Sequence, residues 1–391
     1  MSQLIHRITL RQLLSFDEEG IDLPMRPLNV LIGPNGSGKS NLIEALSLFQ
    51  SAPGELAGTV RDGGGISDWL WKGKKRATAF IEVLVENPIH GAPKNLRHTI
   101  GFTESSRRLE LVDERIEEES PRTKSDSVPY FFYQFQNNHA VLNVSGQRRE
   151  LKREDVDPEK SILAQRKDPD QYPEITYLAD SFSRIKIYRE WTFGRYTAPQ
   201  RPQKADKRND FLDEDCANLG LVLNSIRRDI TAKQSVLEHL KSLYPAVQDF
   251  DVIIEGGTVQ VFLQEGKFSI PATRLSDGTL RYLCLLAILC HPKPPPLICI
   301  EEPELGLHPD VLVSVGKLLK EASKKTQLIV TTHSDVLVDC MSDDPEDVIV
   351  CEKTDTASTM RRLDAEDLKD WLAKYSLGEL WRRGQIGGNR W

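Results

Sequence analysis

Apolar and polar residues alternate through residues 2–16, the spacing of a half-buried strand. A second apolar run, Pro27 to Ile32, leads into a glycine-dotted turn and then a helical stretch from Asn41 to Gln50. Residues 76–86 and 98–103 predict two more strands. Residues 104–175 are charged and proline-dotted, with short apolar stretches such as Tyr130 to Phe135, and predict an inserted arm of hairpins. No heptad pattern is sustained there, which argues against a long coiled coil. From Asp210 to Leu243 apolar residues recur at helical spacing, among them Leu219, Leu223, Ile226, Ile230, Leu240 and Leu243, so a helical subdomain is expected. Residues 251–263 hold two strands around Gly256-Gly257, and the sheet resumes at 297–301, 327–332 and 347–352 with helices between. The pattern predicts an α/β fold whose core is assembled from both ends of the chain, with the middle as a lobe.

Composition adds little to this picture and excludes some of it. The 391 residues are 39% hydrophobic and 28% charged, ordinary for a globular protein. No apolar run approaches the length that crosses a bilayer, and Met1 to Arg7 hold no signal-peptide core, so a soluble, cytoplasmic protein without membrane contact is expected. Six cysteines form no C-x-x-C pair, and several lie in apolar runs, as reduced core thiols would. A net charge of −7 does not advertise nucleic-acid binding. Residues 183–208 depart from that average, with Arg184, Lys186, Arg189, Arg195 and Arg201 interleaved with Tyr188, Trp191, Phe193 and Tyr196. Cations and stacking aromatics suit DNA or RNA, whereas aromatics packed on the core are the simpler alternative. Arg148 to Arg153 is a weaker basic run. The end of the chain, residues 377–391, carries Trp381, Trp391 and several arginines among glycines; either a docking tail for a partner or a tail tucked against the chain itself fits.

The chemistry begins at Gly33-Pro34-Asn35-Gly36-Ser37-Gly38-Lys39-Ser40, a complete G-x-x-x-x-G-K-S placed after a strand and before a helix. Backbone N–H groups of Asn35, Gly36, Ser37 and Gly38 can point at phosphate oxygens, Lys39 can reach the β- and γ-phosphates, and Ser40 can ligate Mg²⁺. Near the other end, Leu297-Ile-Cys-Ile-Glu-Glu-Pro-Glu304 is an apolar strand closing on carboxylates. Glu301 is the metal candidate and Glu302 the general base for the attacking water. Arg274-Leu-Ser-Asp-Gly-Thr-Leu-Arg281 places Ser276 and Gly278 at a helix start, at once an N-cap and an anion site. Val330-Thr-Thr-His-Ser334 places His333 after a further strand.

In this order the chain resembles the soluble ABC-type ATPases of the RecF, SMC and OLD-like branch. The Glu-Glu-Pro-Glu-x-Gly-Leu-His-Pro stretch is similar to that of the stand-alone AAA_21-type proteins. The resemblance implies an ABC-type P-loop NTPase head, a mixed central sheet flanked by helices with an inserted arm and a helical signature lobe. Its parts are expected at 1–104 (phosphate-loop half of the head), 105–208 (arm with the basic–aromatic segment), 209–290 (signature lobe) and 291–391 (acidic strand, switch histidine and tail). It also implies ATP and Mg²⁺, an ATP-sandwiched homodimer in which Ser276 and Gly278 act in trans, and His333 against the γ-phosphate. The chain departs from the family in Glu301 where Asp is commoner, in the signature LSDGT, and in lacking a clear glutamine-loop, for which Gln50, Gln134 and Gln136 stay open. About sixty residues follow His333, too few for the TOPRIM domain fused in OLD-like relatives. The expected function is ATP-driven control of a separate effector, a nuclease or TOPRIM-like protein, in anti-phage defence or DNA repair, with DNA a candidate partner. A RecF-like loader without nuclease and, less in keeping with the dialect, a transporter ATPase are the alternatives.

Overall fold

A computed structural model describes residues 3–87, 89, 94–123, 126–144, 147–152 and 156–388. The chain forms two compact units. One, here the P-loop unit, comprises Gln3–Ile185, Ile349–Leu363 and the residues from 386; the other, the signature unit, comprises Lys186–Val348 and Asp364–Gln385. Each therefore draws on distant stretches of sequence.

The P-loop unit holds an eight-stranded antiparallel sheet in the order Ile21–Pro24, Ile5–Arg11, Ala79–Val85, Leu96–Ser105, Arg108–Glu118, Phe131–Gln136, His139–Val144, Gln147–Leu151. The period-two pattern is plainest in Ala79–Val85, where every second residue is buried. In Ile5–Arg11 a register shift between Ile5 and Arg7 breaks the alternation, so Ile5 and Ile8, three apart, both face the core. The hairpins expected beyond residue 104 extend this same sheet. Arg153 of the weaker basic run lies outside the described residues.

One buried polar cluster ties the sheet to its helices. Glu114 and His98 on neighbouring strands, with Ser161, are 0–1% exposed. The Glu114 carboxylate accepts from the Ser161 hydroxyl and from Ile162 N–H (2.9 Å), and lies 3.2 Å from His98 Nε2. The His98 ring in turn packs against Phe182 and against Phe49 of the helix Lys39–Ser51 (5.8 and 5.7 Å between centroids).

In the signature unit the strands Lys186–Tyr188, Leu297–Glu301 and Gln327–Thr331 run parallel in that order. Residues 297–300 and 327–331 are all buried, as parallel strands covered on both faces should be. A smaller sheet pairs Val247–Glu255 with Thr258–Glu265 through Gly256 and Gly257, whose φ of 56° and 76° make the tight turn their lack of a side chain permits. Helices Leu219–Ile226 and Ile230–Leu243 supply most of the helical stretch expected from Asp210, whereas residues 210–218 form bends and turns instead, held by Asn218, which donates to the Arg208 and Phe211 carbonyls. Cys216, Cys284, Cys290 and Cys299 are buried free thiols here, as is Cys351 in the P-loop unit, and burial pushes Cys290 up to about 11 and Cys351 to about 12.

Through residue 388 the terminal stretch packs on the chain itself. Leu377–Arg382 is a helix with a Ser376/Glu379 capping box, and Gly378 N–H donates to Asp339 (2.6 Å). Within the P-loop unit, Gly388 N–H donates to Glu352 (3.0 Å) and the Ile386 carbonyl accepts from Arg361 (2.6 Å). Trp391 lies outside the described residues. Among them, no helix is long and apolar enough to cross a membrane.

Glu114→Ala should strand the polar atoms of His98 and Ser161 in the core and cost about 2–4 kcal/mol of stability. A lower denaturant midpoint at unchanged slope would register it; Glu114→Gln, which keeps an acceptor, should lose less.

Candidate functional site

The strand Leu28–Ile32 is buried throughout and delivers the chain into the glycine turn. Gly33, Gly36 and Gly38 have φ of 149°, 79° and 96°, conformations that favour glycine. At Gly33 a Cβ would sit 2.2 Å from the Cys351 carbonyl oxygen, and at Gly38 2.6 Å from Ser358 Oγ. At Gly36 it would meet nothing within 4 Å, so this glycine answers to its dihedral alone. The helix Lys39–Ser51 has no side-chain cap and no acid in its first turn, a helix start that suits an anion. Lys39 curls over the loop, donating to the carbonyls of Gly33 (2.8 Å) and Pro34 (3.0 Å). The Ser37 hydroxyl is buried without a hydrogen-bond partner, while Asn35, Gly36 and Ser40 are exposed. An uncapped helix, a cradle closed to a Cβ at Gly33 and Gly38, and an orphaned Ser37 hydroxyl fit a polyphosphate.

Beside this loop, in the same unit, opens a cavity of about 400 Å³ lined by Leu14, Ser15, Asn41, Trp71, Lys72 and Lys353, among others. Asn41 donates to Ser15 Oγ (2.7 Å), and Trp71 Nε1–H to the Thr356 carbonyl (3.4 Å). The sequence marks Leu14, Ser15 and Asn41 only as parts of a strand and a helix, and does not bring them together with Trp71, Lys72 and Lys353. The only trace was the aromatic–basic run Trp69-Leu-Trp-Lys-Gly-Lys-Lys-Arg76.

The acids stand in the signature unit. Glu301 ends its strand half-buried, with the Arg189 guanidinium 3.7 Å away. Glu302 turns out of line at φ 46°, a rare conformation for a side-chain-bearing residue, and its N–H donates to the carbonyl (3.0 Å) and Oγ1 (3.2 Å) of Thr331. Its carboxylate lies 3.7 Å from His333 Nε2, so the expected base and switch residue face one another. Glu304, two residues on, accepts from Thr332 Oγ1 (2.8 Å) and from His333 N–H (2.6 Å). Burial raises its pKa, against the pull of those hydrogen bonds. It fixes the peptide that carries His333, a role visible in the sequence only as the third acid of Glu-Glu-Pro-Glu.

Ser276 caps the helix Asp277–Leu289, accepting from Thr279 N–H (3.2 Å), and remains exposed. A Cβ on Gly278 would lie 3.0 Å from the Gly306 carbonyl, so the helix start is pressed close to the turn after the acidic strand. Asn35, Gly36, Ser37, Gly38, Lys39 and Ser40 thus share one unit, and Ser276, Gly278, Glu301, Glu302 and His333 the other. The glutamine candidates all lie in the P-loop unit: Gln50 donates to the Ile185 carbonyl (2.9 Å), Gln134 to Gln136 (2.7 Å) and Gln136 to Asp113 (3.1 Å). In the basic–aromatic segment Tyr188 is buried and Trp191 stacks on it, while Tyr196 is exposed; Lys207 and Arg208 pair with Asp213 and Asp210.

A phosphate loop, paired acids on a parallel strand end, a serine-capped signature helix and a histidine set against the second acid define an ABC-type P-loop ATPase. The chain belongs to the AAA_21 family, described as AAA domain, putative AbiEii toxin, Type IV TA system, whose model matches residues 28–339. Its fold is that of SMC heads. The SmcHead bound to the C-winged helix domain of ScpA is 17% identical, covers 93% of this chain and 99% of its own, and superposes with a TM-score of 0.60. The Smc head domain with an extended coiled coil bound to the C-terminal domain of ScpA, from Pyrococcus furiosus, is also 17% identical, with coverages of 95% and 99% and a TM-score of 0.57.

Glu304→Ala should free the His333 peptide and lower kcat by on the order of tenfold, with ATP affinity nearly unchanged. Glu304→Gln, which keeps one acceptor oxygen, should retain most of the rate in the same steady-state assay.

Proposed function

We propose that this ATPase closes on a second copy of itself around ATP–Mg²⁺ and thereby controls a separate effector, a nuclease or TOPRIM-like protein acting on DNA, in cytoplasmic anti-phage defence or repair. The observation that carries the two-chain reading is the exposed Ser276 cap on a helix start held against the Gly306 turn, beside Leu305, 49% exposed. In this reading that helix N-terminus, exposed though capped by Ser276 and followed by Asp277, is a second anion site that takes a γ-phosphate held by the partner copy.

In this reading Lys39 and the N–H groups of residues 35–38 hold the phosphates, and the cavity with Trp71 receives base and ribose. Ser40 and Glu301 would hold Mg²⁺, which when bound neutralises phosphate charge. Glu302 orients the attacking water and takes its proton, and His333 hydrogen-bonds the γ-phosphate and that water. The family description names a toxin–antitoxin setting, and both SMC heads carry a bound ScpA domain, which supports a head that works through a partner.

Lys39→Ala should lose ATP binding. Glu302→Gln should bind ATP, turn it over at least about 100-fold more slowly, and elute as a dimer with ATP–Mg²⁺. Ser276→Arg should bind ATP yet stay monomeric and slow; a Ser276→Arg protein hydrolysing at the wild-type rate as a monomer sinks the two-chain reading. The trapped Glu302→Gln dimer, purified from its host, should bring down a nuclease or TOPRIM-like protein. Recombination proteins without a nuclease would instead support a loader.

A further inference from the structure

The strand Lys186–Tyr188 runs parallel to the acidic strand, with Tyr188 opposite Ile300, so the chain leaving it crosses the end of that strand. Arg189 reaches the Glu301 carboxylate, and Trp191 Nε1–H donates to the Glu301 carbonyl (3.0 Å). Trp191 stacks between Tyr188 (5.9 Å, 26°) and Phe193 (6.3 Å, 13°). From the other side comes Arg281, five residues beyond the Ser276 cap. Its Nη2 donates to the Trp191 carbonyl (3.1 Å), and its guanidinium lies over the rings of Trp191 (5.6 Å) and Phe193 (5.1 Å).

Arg281 makes no close ion pair among the described residues, Glu304 acting on it only at longer distance, and its Nη1 is buried without a hydrogen bond. An arginine held chiefly by aromatic faces and one carbonyl is expensive as mere packing. Burial accordingly lowers its pKa. Its neighbourhood makes sense as a connection: Arg281 rides on the helix that Ser276 caps and touches Trp191, and Trp191 touches Glu301.

We propose that Trp191 is a positioning residue of the ATPase, and that with Arg281 it links the start of the signature helix to the end of the acidic strand. Closure on Ser276 is thereby transmitted to the placement of Glu301 and Glu302. The inference deepens the two-chain reading and rests on it for the role of Ser276, while the link itself lies within one chain.

The test is a double-mutant cycle on kcat with Trp191→Phe and Ser276→Arg, read together with ATP affinity and the ATP-induced change in tryptophan fluorescence. Trp191→Phe keeps a stacking ring and loses the indole N–H. It should cost about fivefold in kcat, the worth of one hydrogen bond, with ATP affinity within about twofold and a smaller fluorescence change. In the Ser276→Arg background the same substitution should cost almost nothing more. Losses that multiply, or an unchanged kcat in Trp191→Phe, overturn the link. If Ser276→Arg alone is harmless, the two-chain reading fails and the link is judged by pairing Trp191→Phe with Arg281→Lys, which keeps the charge but not the fork. Multiplicative losses in that pair overturn it too. Should Trp191→Phe fail to fold, Arg281→Lys combined with Ser276→Arg carries the same comparison.

Discussion

A polyphosphate is held by many N–H groups aimed at one point, and a chain can supply them only where it comes closer to itself than a side chain allows. Gly33 meets that constraint. Its Cα faces the Cys351 carbonyl, which would stand 2.2 Å from a Cβ. From that approach follow the turn, the positive φ at Gly36 and Gly38, and the start of a helix that no side chain caps. The apolar strand before it and the Phe49 packing behind it serve to hold this one turn still.

The acid side works under a different constraint. Carboxylates must be gathered where a metal and a water can use them, and kept from collapsing onto each other or onto solvent. Parallel strands bring their C-terminal ends together, and short turns then divide the labour. Glu302 is thrown out of register by its left-handed backbone, Glu304 turns inward to grip the His333 peptide, and Glu301 keeps the line of its strand.

Much of this was legible in the sequence because the chemistry tolerates few alternatives. A glycine-rich turn between strand and helix, two acids on an apolar strand, and Thr-Thr-His-Ser after another strand each stand as contiguous residues. Periodicity gave the helical stretch from 219 to 243, though it also extended it back to 210, where the chain turns instead. What stayed hidden depends on pairs distant in sequence. Trp191 meets Glu301 across 110 residues, and Glu114 meets Ser161 across 47. No local pattern records such meetings, and a tryptophan among arginines reads equally well as a surface that binds nucleic acid or as a packed link. The cavity beside the phosphate loop was missed for the same reason: Leu14, Trp71 and Lys353 converge only in the folded chain.

The same long-range closure shapes how the molecule is made. Ser358 N–H bonds the Ser15 carbonyl (2.8 Å), Ser358 Oγ meets Ser15 Oγ (2.8 Å) across 343 residues, and Gly38 lies against that serine pair. At about 5–20 residues per second, a ribosome needs roughly 17–70 s between the two serines. Through most of that time the glycine turn has been made but its floor has not been translated. Competence for nucleotide therefore waits on Ser358, so a product truncated before it cannot complete the phosphate cradle and enter the ATP cycle.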